Sequence, residues 1–155
     1  MTYTGGIVGY NQLASIQNTY SLNMIDSMSG IYNGVLGYAA GICGFSEGGF
    51  ISDNVAINTE VKTNGYMDKV CNIGSEMAMC ENNFAKENIE FYGEFSPMSG
   101  GWEDVSIERL KDKDFFFEPV AEGGKLGWIE GDVWYMNGIF PYPVLSGVKN
   151  QDSFR

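Results

Sequence analysis

The chain has 155 residues, of which 20 are acidic and 9 are basic, and it contains no histidine. A formal net charge of −11 would repel phosphates, which disfavours nucleic acid and anionic membrane surfaces as partners. The lack of histidine excludes a Ser-His-Asp triad, a Cys-His pair and histidine-ligated zinc, and no apolar run reaches the roughly 18 residues that membrane insertion requires.

Residues 2–92 contain a repeated segment. The first copy, at 5–23, reads GGIVGYNQLASIQNTYSLN, the second, at 40–58, reads AGICGFSEGGFISDNVAIN, and a fainter third copy lies near 70–87. A period of roughly 30 to 35 residues is typical of solenoids. The structural positions of the repeat are Gly6, Gly9, Tyr10, Ile16, Gly41, Gly44, Phe45, Ile51, Asn54 and Asn83.

The residue types of the repeat indicate β-structure. Pairs of β-branched and aromatic residues are interrupted every few positions by Gly, Asn, Ser or Asp, and no helical period is visible between Thr2 and Phe95. We therefore predict an all-β fold, a right-handed parallel β-solenoid or β-helix in which apolar and Asn side chains stack from coil to coil. The repeated glycines are assigned to turns and close packing, because neither GxGxxG nor GxxxxGK[ST] is present.

The three cysteines fall on apolar positions of the repeat. In the alignment Cys43 replaces Val8, Cys71 falls on Ile42 and Cys80 falls on Ile51. This pattern predicts three buried thiols that act as small apolar side chains. A Cys71–Cys80 disulfide, which an exported protein would permit, is the alternative.

The pattern changes near Gly93, and residues 93–147 are predicted to form a C-terminal cap over the last coil. A short helix is expected over Ile107–Phe115, capped by Asp104 or Ser106, with Leu110 on its apolar face. A β-hairpin is expected to pair 133–136 with 139–140 around the turn Asn137-Gly138. Residues 148–155 are expected to be a tail.

The stretches GGIVGYN…ASIQNTYS and AGICGFSEGGFISDNVA resemble the GLUG motif, whose repeats typically begin GG[IL]VGYN. The ending, ENNFAKENIEFYG followed by LKDKDFFF…LGWIEGDVWYMNGIFPYPVL, is similar to the closing segment of many such proteins, so the resemblance covers nearly the whole chain. It implies an exported bacterial surface protein, adhesin-like or flanking the catalytic part of an immunoglobulin-A-specific metalloendopeptidase. The motif names no catalytic residue.

We therefore expect a non-catalytic segment of a surface protein, located outside the cell, that acts as an adhesin stalk or as a binding module. Its signal peptide and further coils would lie upstream in a parent chain. The expected partners are a host glycan or a matrix protein. A carbohydrate-binding module is the alternative, because exposed aromatic rings stack on sugars, and the candidate residues are Trp102, Trp128, Trp134 and Tyr135. Packing within the cap is the competing explanation for these four residues.

A polysaccharide-degrading β-helix enzyme is a further alternative, since carboxylates are numerous around 87–94 and 103–108. Sequence alone does not give the carboxyl separation that such chemistry requires, and no catalytic residue or cofactor is assigned. No metal site is assigned either, because the acidic residues at 112–114 and 130–132 lack the spacing of known calcium loops. The open edge of the first coil is expected to allow weak self-association.

Overall fold

The computed structural model describes residues 1–27, 37–74, 77–95, 101–131, 133–138 and 140–146. The chain divides into two compact units, Met1–Val105 and Ser106–Arg155. The sequence pattern changes earlier, at Gly93, but strands continue to pair with the repeat as far as Val105. The predicted tail, 148–155, lies outside the described residues.

The first unit consists of short strands that the chain makes in four successive passes. The first pass contains β1 (Thr2–Gly5), β2 (Val8–Asn11), β3 (Ser15–Gln17), β4 (Tyr20–Ser21) and β5 (Ile25–Ser27). The second contains β6 (Gly37–Ala40), β7 (Cys43–Ser46), β8 (Gly49–Ser52) and β9 (Val55–Ala56). The third contains β10 (Glu60–Asp68), β11 (Cys71–Ile73), β12 (Ala78–Glu81) and β13 (Asn83–Lys86), and the fourth contains β14 (Glu90–Phe95) and β15 (Trp102–Val105).

Each of the first three passes contributes to all four sheets, the fourth contributes β14 and β15 to two of them, and every pairing between the described strands of the first unit is parallel. The sheet orders are β1-β6-β10-β14 with β5 beside β10, then β2-β7-β11, β3-β8-β12 and β4-β9-β13-β15. The register places Tyr10 opposite Phe45 and Ile16 opposite Ile51, as the sequence alignment of the copies does. The predicted all-β class with parallel strands is confirmed for the described residues.

Stacking puts like residues on top of one another in the core. Ile16, Ile51 and Cys80 follow one another in one sheet, and Ile25 lies opposite Val61 in another. In β10 alternate residues are buried, as expected of a strand with one face toward a core. The core cluster is completed by Ala39, Ile42, Cys43, Ala56, Met67, Val70, Cys71, Ala85 and Ile89.

One turn recurs in the first three passes and explains the positions of the asparagines. Asn18, Asp53 and Asn82 have φ values of 55°, 59° and 48°, a left-handed conformation that Asn and Asp tolerate better than most residues. The next residue in the second and third passes is a buried asparagine, Asn54 or Asn83. The Asn54 amide nitrogen Nδ2 donates to the Asn83 Oδ1 at 3.0 Å, so the two side chains link adjacent passes.

The cysteines are free, and their stacking differs in one place from the alignment of the copies. Cys43 lies opposite Val8, and Cys80 lies opposite Ile51, as aligned. Cys71 lies opposite Cys43 and not Ile42, and the register of β11 shifts again between Cys71 and Ile73. Cys43 and Cys71 are buried and Cys80 is partly buried, and none forms a disulfide, so the alternative Cys71–Cys80 bridge is absent from the structure.

The second unit contains two turns of 3₁₀ helix, Arg109–Lys111 and Val120–Glu122, and one short helix, α1 (Lys113–Phe117). The expected continuous helix over 107–115 is broken at Asp112, whose φ of −76° and ψ of 126° are extended. Asp104 lies in β15 and caps nothing, whereas the Ser106 hydroxyl accepts a hydrogen bond from the Arg109 N–H at 3.2 Å. Leu110 is buried, as expected.

The antiparallel pair in the second unit has a different partner from the one expected. Strand β16 (Trp134–Tyr135) pairs with β17 (Val144–Leu145), beyond Pro141 and Pro143. The chain bends at Gly138, which has φ 75°, and the Asn137 side chain accepts from the Phe140 N–H at 2.9 Å. Ile139 lies outside the described residues. Val144 is only 2% exposed, so its burial fixes the pairing beyond the prolines.

Candidate functional site

Five aromatic side chains form one contiguous surface on the first unit, which we call the aromatic strip. Tyr3, Tyr38 and Tyr66 occupy equivalent positions in β1, β6 and β10. Their ring centroids are 5.7 Å and 5.5 Å apart. Tyr10 and Phe45 form a second column in β2 and β7, with centroids 6.2 Å apart and ring planes at 10°.

The two columns contact each other. The Tyr3 centroid lies 5.2 Å from that of Tyr10, and the Tyr38 ring meets Phe45 edge-on at 4.7 Å. Phe45 also covers Gly74, where an added Cβ would lie 2.2 Å from the ring. Tilted and edge-on contacts at these distances stabilise aromatic pairs by about 0.5–1.5 kcal/mol each beyond their burial. The strip is therefore a continuous surface of rings that pack on one another.

The strip faces solvent and has a polar border. Tyr10 is 40% exposed, and the other four rings are partly exposed. The Tyr10 hydroxyl donates to the Glu47 Oε2 at 2.5 Å. This hydrogen bond, together with slight burial and the negative charge, raises the pKa of Tyr10 above its usual value. Rigid tyrosines beside a charged rim are characteristic of recognition surfaces, because they present large area with little side-chain entropy to lose.

A second surface feature is a shallow cleft of about 240 Å³ around Trp102. Its lining combines an indole ring, amides and a carboxylate, namely Asn82, Asn83, Phe84, Gly101, Trp102 and Glu103. The side chains of Asn82 and Glu103 are exposed. The Trp102 indole Nε1 is buried and has no hydrogen-bond partner. The cleft thus offers the mixture of aromatic and amide groups that binds sugars.

Trp102 is held from one side by a buried cation. The Lys69 ammonium lies 4.8 Å from the centroid of the indole ring and is paired with the Asp104 carboxylate. Lys69 is only 6% exposed, and a charge so deeply buried must be paired. Asp104 therefore supplies the counter-charge of the buried Lys69 ammonium.

The other three aromatic candidates belong to the second unit. Trp128 is 3% exposed and packs against Phe116, with centroids 5.3 Å apart, and it stacks on Trp134 at 5.1 Å. Trp134 is partly buried and Tyr135 is 37% exposed. Trp128 is thus a core residue, in line with the packing explanation. Tyr135 is the most exposed of the three.

Two residues of the acidic stretches at 112–114 and 130–132 form ion pairs. Asp112 accepts from the Arg109 guanidinium at 3.1 Å, and the Lys113 ammonium lies 2.7 Å from the Glu130 carboxylate. Asp132 lies outside the described residues. Within the described part of the chain, no group of three or more His, Cys, Asp or Glu is placed to hold a metal ion. No helix among these residues is long and apolar enough to cross a membrane.

Sequence reasoning missed most of the aromatic strip. Of its members only Tyr10 and Phe45 were singled out, as repeat positions. Tyr3 and Tyr38 lie just before the aligned copies, at 5–23 and 40–58. The signal was present, because Tyr3 and Tyr38 have the same separation along the chain as Tyr10 and Phe45. Extending the alignment by two residues would have found them.

Comparisons with protein-family models, with curated proteins and with solved structures find no match to this chain.

Proposed function

We propose that this protein is a non-catalytic segment of an exported bacterial surface protein, which acts as an adhesin stalk or binding module. Its scaffold would be a right-handed parallel β-solenoid of the GLUG-motif kind. Support comes from the recurrence of Tyr10 as Phe45 and of Ile16 as Ile51, each pair directly opposed on parallel strands. Successive passes that stack in this way build an extended lateral surface.

The observation that carries a binding role is the aromatic strip. Protein interfaces are enriched in tyrosine, and their hot spots are rigid aromatic anchors. The five rings are held by one another, so binding would cost little ordering of side chains. A matrix protein of the host is the partner class we favour, because its polar and aromatic groups would meet tyrosine hydroxyls and the Glu47 carboxylate.

Carbohydrate binding is the second candidate function, and the Trp102 cleft favours it. The rings of the aromatic strip contact one another, which limits the faces left for a sugar, whereas the cleft places an indole beside Asn82 and Glu103. A short glycan would contact the indole and accept or donate hydrogen bonds at the amide and carboxylate. The two candidates therefore use different residues and can be separated by mutation.

A binding screen on immobilised matrix proteins and a glycan array tests both. The variants are Tyr10→Ala for the strip and Glu103→Ala for the cleft, with Phe50→Ala as the matched control because Phe50 is 46% exposed and lies outside both sites. If the affinity for a matrix protein falls about tenfold or more in Tyr10→Ala and in neither other variant, the aromatic strip is the binding site. Aromatic anchors of this kind contribute about 2 kcal/mol to the binding free energy. Glycan binding lost only in Glu103→Ala supports the cleft.

Two outcomes would contradict these assignments. Equal loss in Phe50→Ala would mean that neither site is specific. Saturable binding that none of the three variants changes would place the ligand elsewhere on the molecule. A parallel assay of polysaccharide hydrolysis tests the non-catalytic part of the proposal, which a turnover abolished by one carboxylate substitution would overturn.

A further inference from the structure

Two of the three cysteines lie side by side in the interior of the first unit. Cys43 in β7 and Cys71 in β11 are register partners on neighbouring parallel strands, and neither side chain is exposed to solvent. Register partners project from the same face of a sheet, and both side chains belong to one core cluster. The two sulfurs are close enough for one thiol to hydrogen-bond the other. The fold therefore places two thiols face to face between the second and third passes.

The spacing of a parallel ladder suits a disulfide between these two residues. Neighbouring strands lie about 4.7–4.9 Å apart, and disulfides join residues whose Cα atoms are about 4.4–6.8 Å apart. Cys80 is placed differently, because its register partner in β8 is Ile51 and its sulfur accepts a hydrogen bond from the Asn83 amide at 3.2 Å. Cys43 and Cys71 are thus the only two cysteines that the described strands bring into register.

The strand that carries Cys71 is held by a short and irregular ladder. Strand β11 has three residues, pairs among the described strands only with β7, and shifts its register between Cys71 and Ile73. Just before it, the single carbonyl of Val70 accepts from two N–H groups, those of Ile42 at 3.0 Å and Cys43 at 2.9 Å. A covalent link at Cys71 would therefore fasten the third pass to the second where main-chain pairing is least regular.

We propose that Cys43 and Cys71 form a disulfide when the protein meets an oxidant, and that this bond links the second pass to the third. The oxidant is another disulfide, either of a small thiol compound or of a protein that exchanges disulfides. One cysteine, as its thiolate, attacks a sulfur of the oxidant, which forms a mixed disulfide and releases one thiol. The second cysteine, as its thiolate, then attacks the protein sulfur of the mixed disulfide, and the other thiol leaves. Two electrons pass to the oxidant, and the two cysteine protons end on the released thiols.

Burial decides when this bond forms. Both thiols are shielded from solvent in the folded protein, so the exchange takes place while the chain folds or when the first unit opens locally. The same burial shields the finished bond from reducing thiols. Only the supply of oxidant rests on the exported location proposed above, since such oxidants act outside the cytosol. The ability of the two thiols to form the bond depends neither on that location nor on the ligand.

Refolding in a glutathione redox buffer tests the proposal. The whole chain is reduced and unfolded in urea, refolded with oxidised and reduced glutathione, and digested for mass spectrometry without reduction. We expect two of the three thiols to be lost and the peptide that contains Cys43 to be linked to the peptide that contains Cys71. The oxidised protein should also melt about 5 °C or more above the reduced protein, because the bond restricts the unfolded chain.

Valine variants provide matched controls, because apolar residues occupy the equivalent positions in other passes. Val8 is a register partner of Cys43, and Ile51 is a register partner of Cys80. Cys80→Val should keep the bond and the full thermal shift, whereas Cys43→Val should abolish both. Circular dichroism in reducing buffer verifies that each variant folds, and Cys71→Val takes the place of Cys43→Val if that variant does not.

Several results would overturn the proposal. Three free thiols after refolding, or a cysteine that stays joined to glutathione, would show that the pair does not close. A link from Cys80 to either of the other cysteines would mean that register does not select the pair. A thermal shift of the same size in Cys43→Val would mean that the disulfide is not its cause.

Discussion

Replacing Asn54 with alanine should destabilise the first unit by about 3 kcal/mol. Asn54 is fully buried, and its Oδ1 accepts from the Thr19 N–H at 3.1 Å and from the Thr19 hydroxyl at 2.9 Å. Its Nδ2 donates to the Ile16 carbonyl at 2.9 Å and to the Asn83 Oδ1 at 3.0 Å. One side chain therefore connects the first, second and third passes.

The magnitude follows from the groups that the substitution would leave unpaired. The Ile16 carbonyl loses its partner in a buried position, which costs about 1–3 kcal/mol. The Thr19 N–H is partly buried, so water can compensate for some of its loss, and we expect it to contribute about 1 kcal/mol. The sum of about 3 kcal/mol is a large part of a typical unfolding free energy of about 5–15 kcal/mol.

Urea denaturation followed by circular dichroism measures this change. The matched control is Asn88→Ala, because the Asn88 side chain is exposed and reaches only the neighbouring Glu87 carboxylate at 3.4 Å. The control should stay within about 0.5 kcal/mol of the unmodified protein. An Asn54→Ala variant as stable as the control would refute the view that stacked asparagines join the passes.

Three further predictions concern backbone strain, the second unit and the thiols. Gly49→Ala should cost at least about 2 kcal/mol, because φ is 82° and the new Cβ would lie 2.1 Å from a main-chain oxygen of the first pass. Gly131 has φ 103° and no atom within 4 Å of an added Cβ, so Gly131→Ala should lower the unfolding free energy by only about 1 kcal/mol. Thermal melts compare the two variants, and equal destabilisation would argue against the contact between residue 49 and the first-pass main chain. Trp128→Ala should destabilise the second unit by about 3–5 kcal/mol, whereas Ile129→Ala, at a residue 72% exposed, should be nearly neutral. A Trp128→Ala protein that melts like the Ile129→Ala control would mean that the ring is not a core residue. Burial raises the pKa of Cys80 to about 12. The reaction of Cys80 with iodoacetamide at pH 8 should therefore be slow until urea unfolds the protein. Rapid labelling of Cys80 in the native protein would contradict its burial.

The repeat could be predicted from the sequence because the first two copies align without a gap. Tyr10 recurs as Phe45 and Ile16 recurs as Ile51, and the structure places both pairs in register. The stacking of Cys71 could not be predicted in the same way, since the third copy is degenerate and β11 shifts its register. A local irregularity of this kind depends on packing between passes, and a pairwise alignment does not contain it.

The second unit shows where local sequence signals fail. The chain bends at Asn137-Gly138, but Trp134–Tyr135 pairs with Val144–Leu145 farther along the chain, where Val144 is buried. The expected helix is interrupted at Asp112. Trp128 shows a related limit: tryptophan is large enough to serve either packing or binding, and only burial distinguishes Trp128 from the exposed Tyr10.

The proposed scaffold and the aromatic strip both depend on parallel stacking of successive passes. Nuclear Overhauser contacts between backbone protons of an isotope-labelled sample test that stacking most directly. We predict contacts of the parallel type between β2 and β7 and between β3 and β8, with Tyr10 beside Phe45 and Ile16 beside Ile51. Close Hα–Hα contacts of the antiparallel type between these strands, or a register that separates Tyr10 from Phe45, would contradict the account.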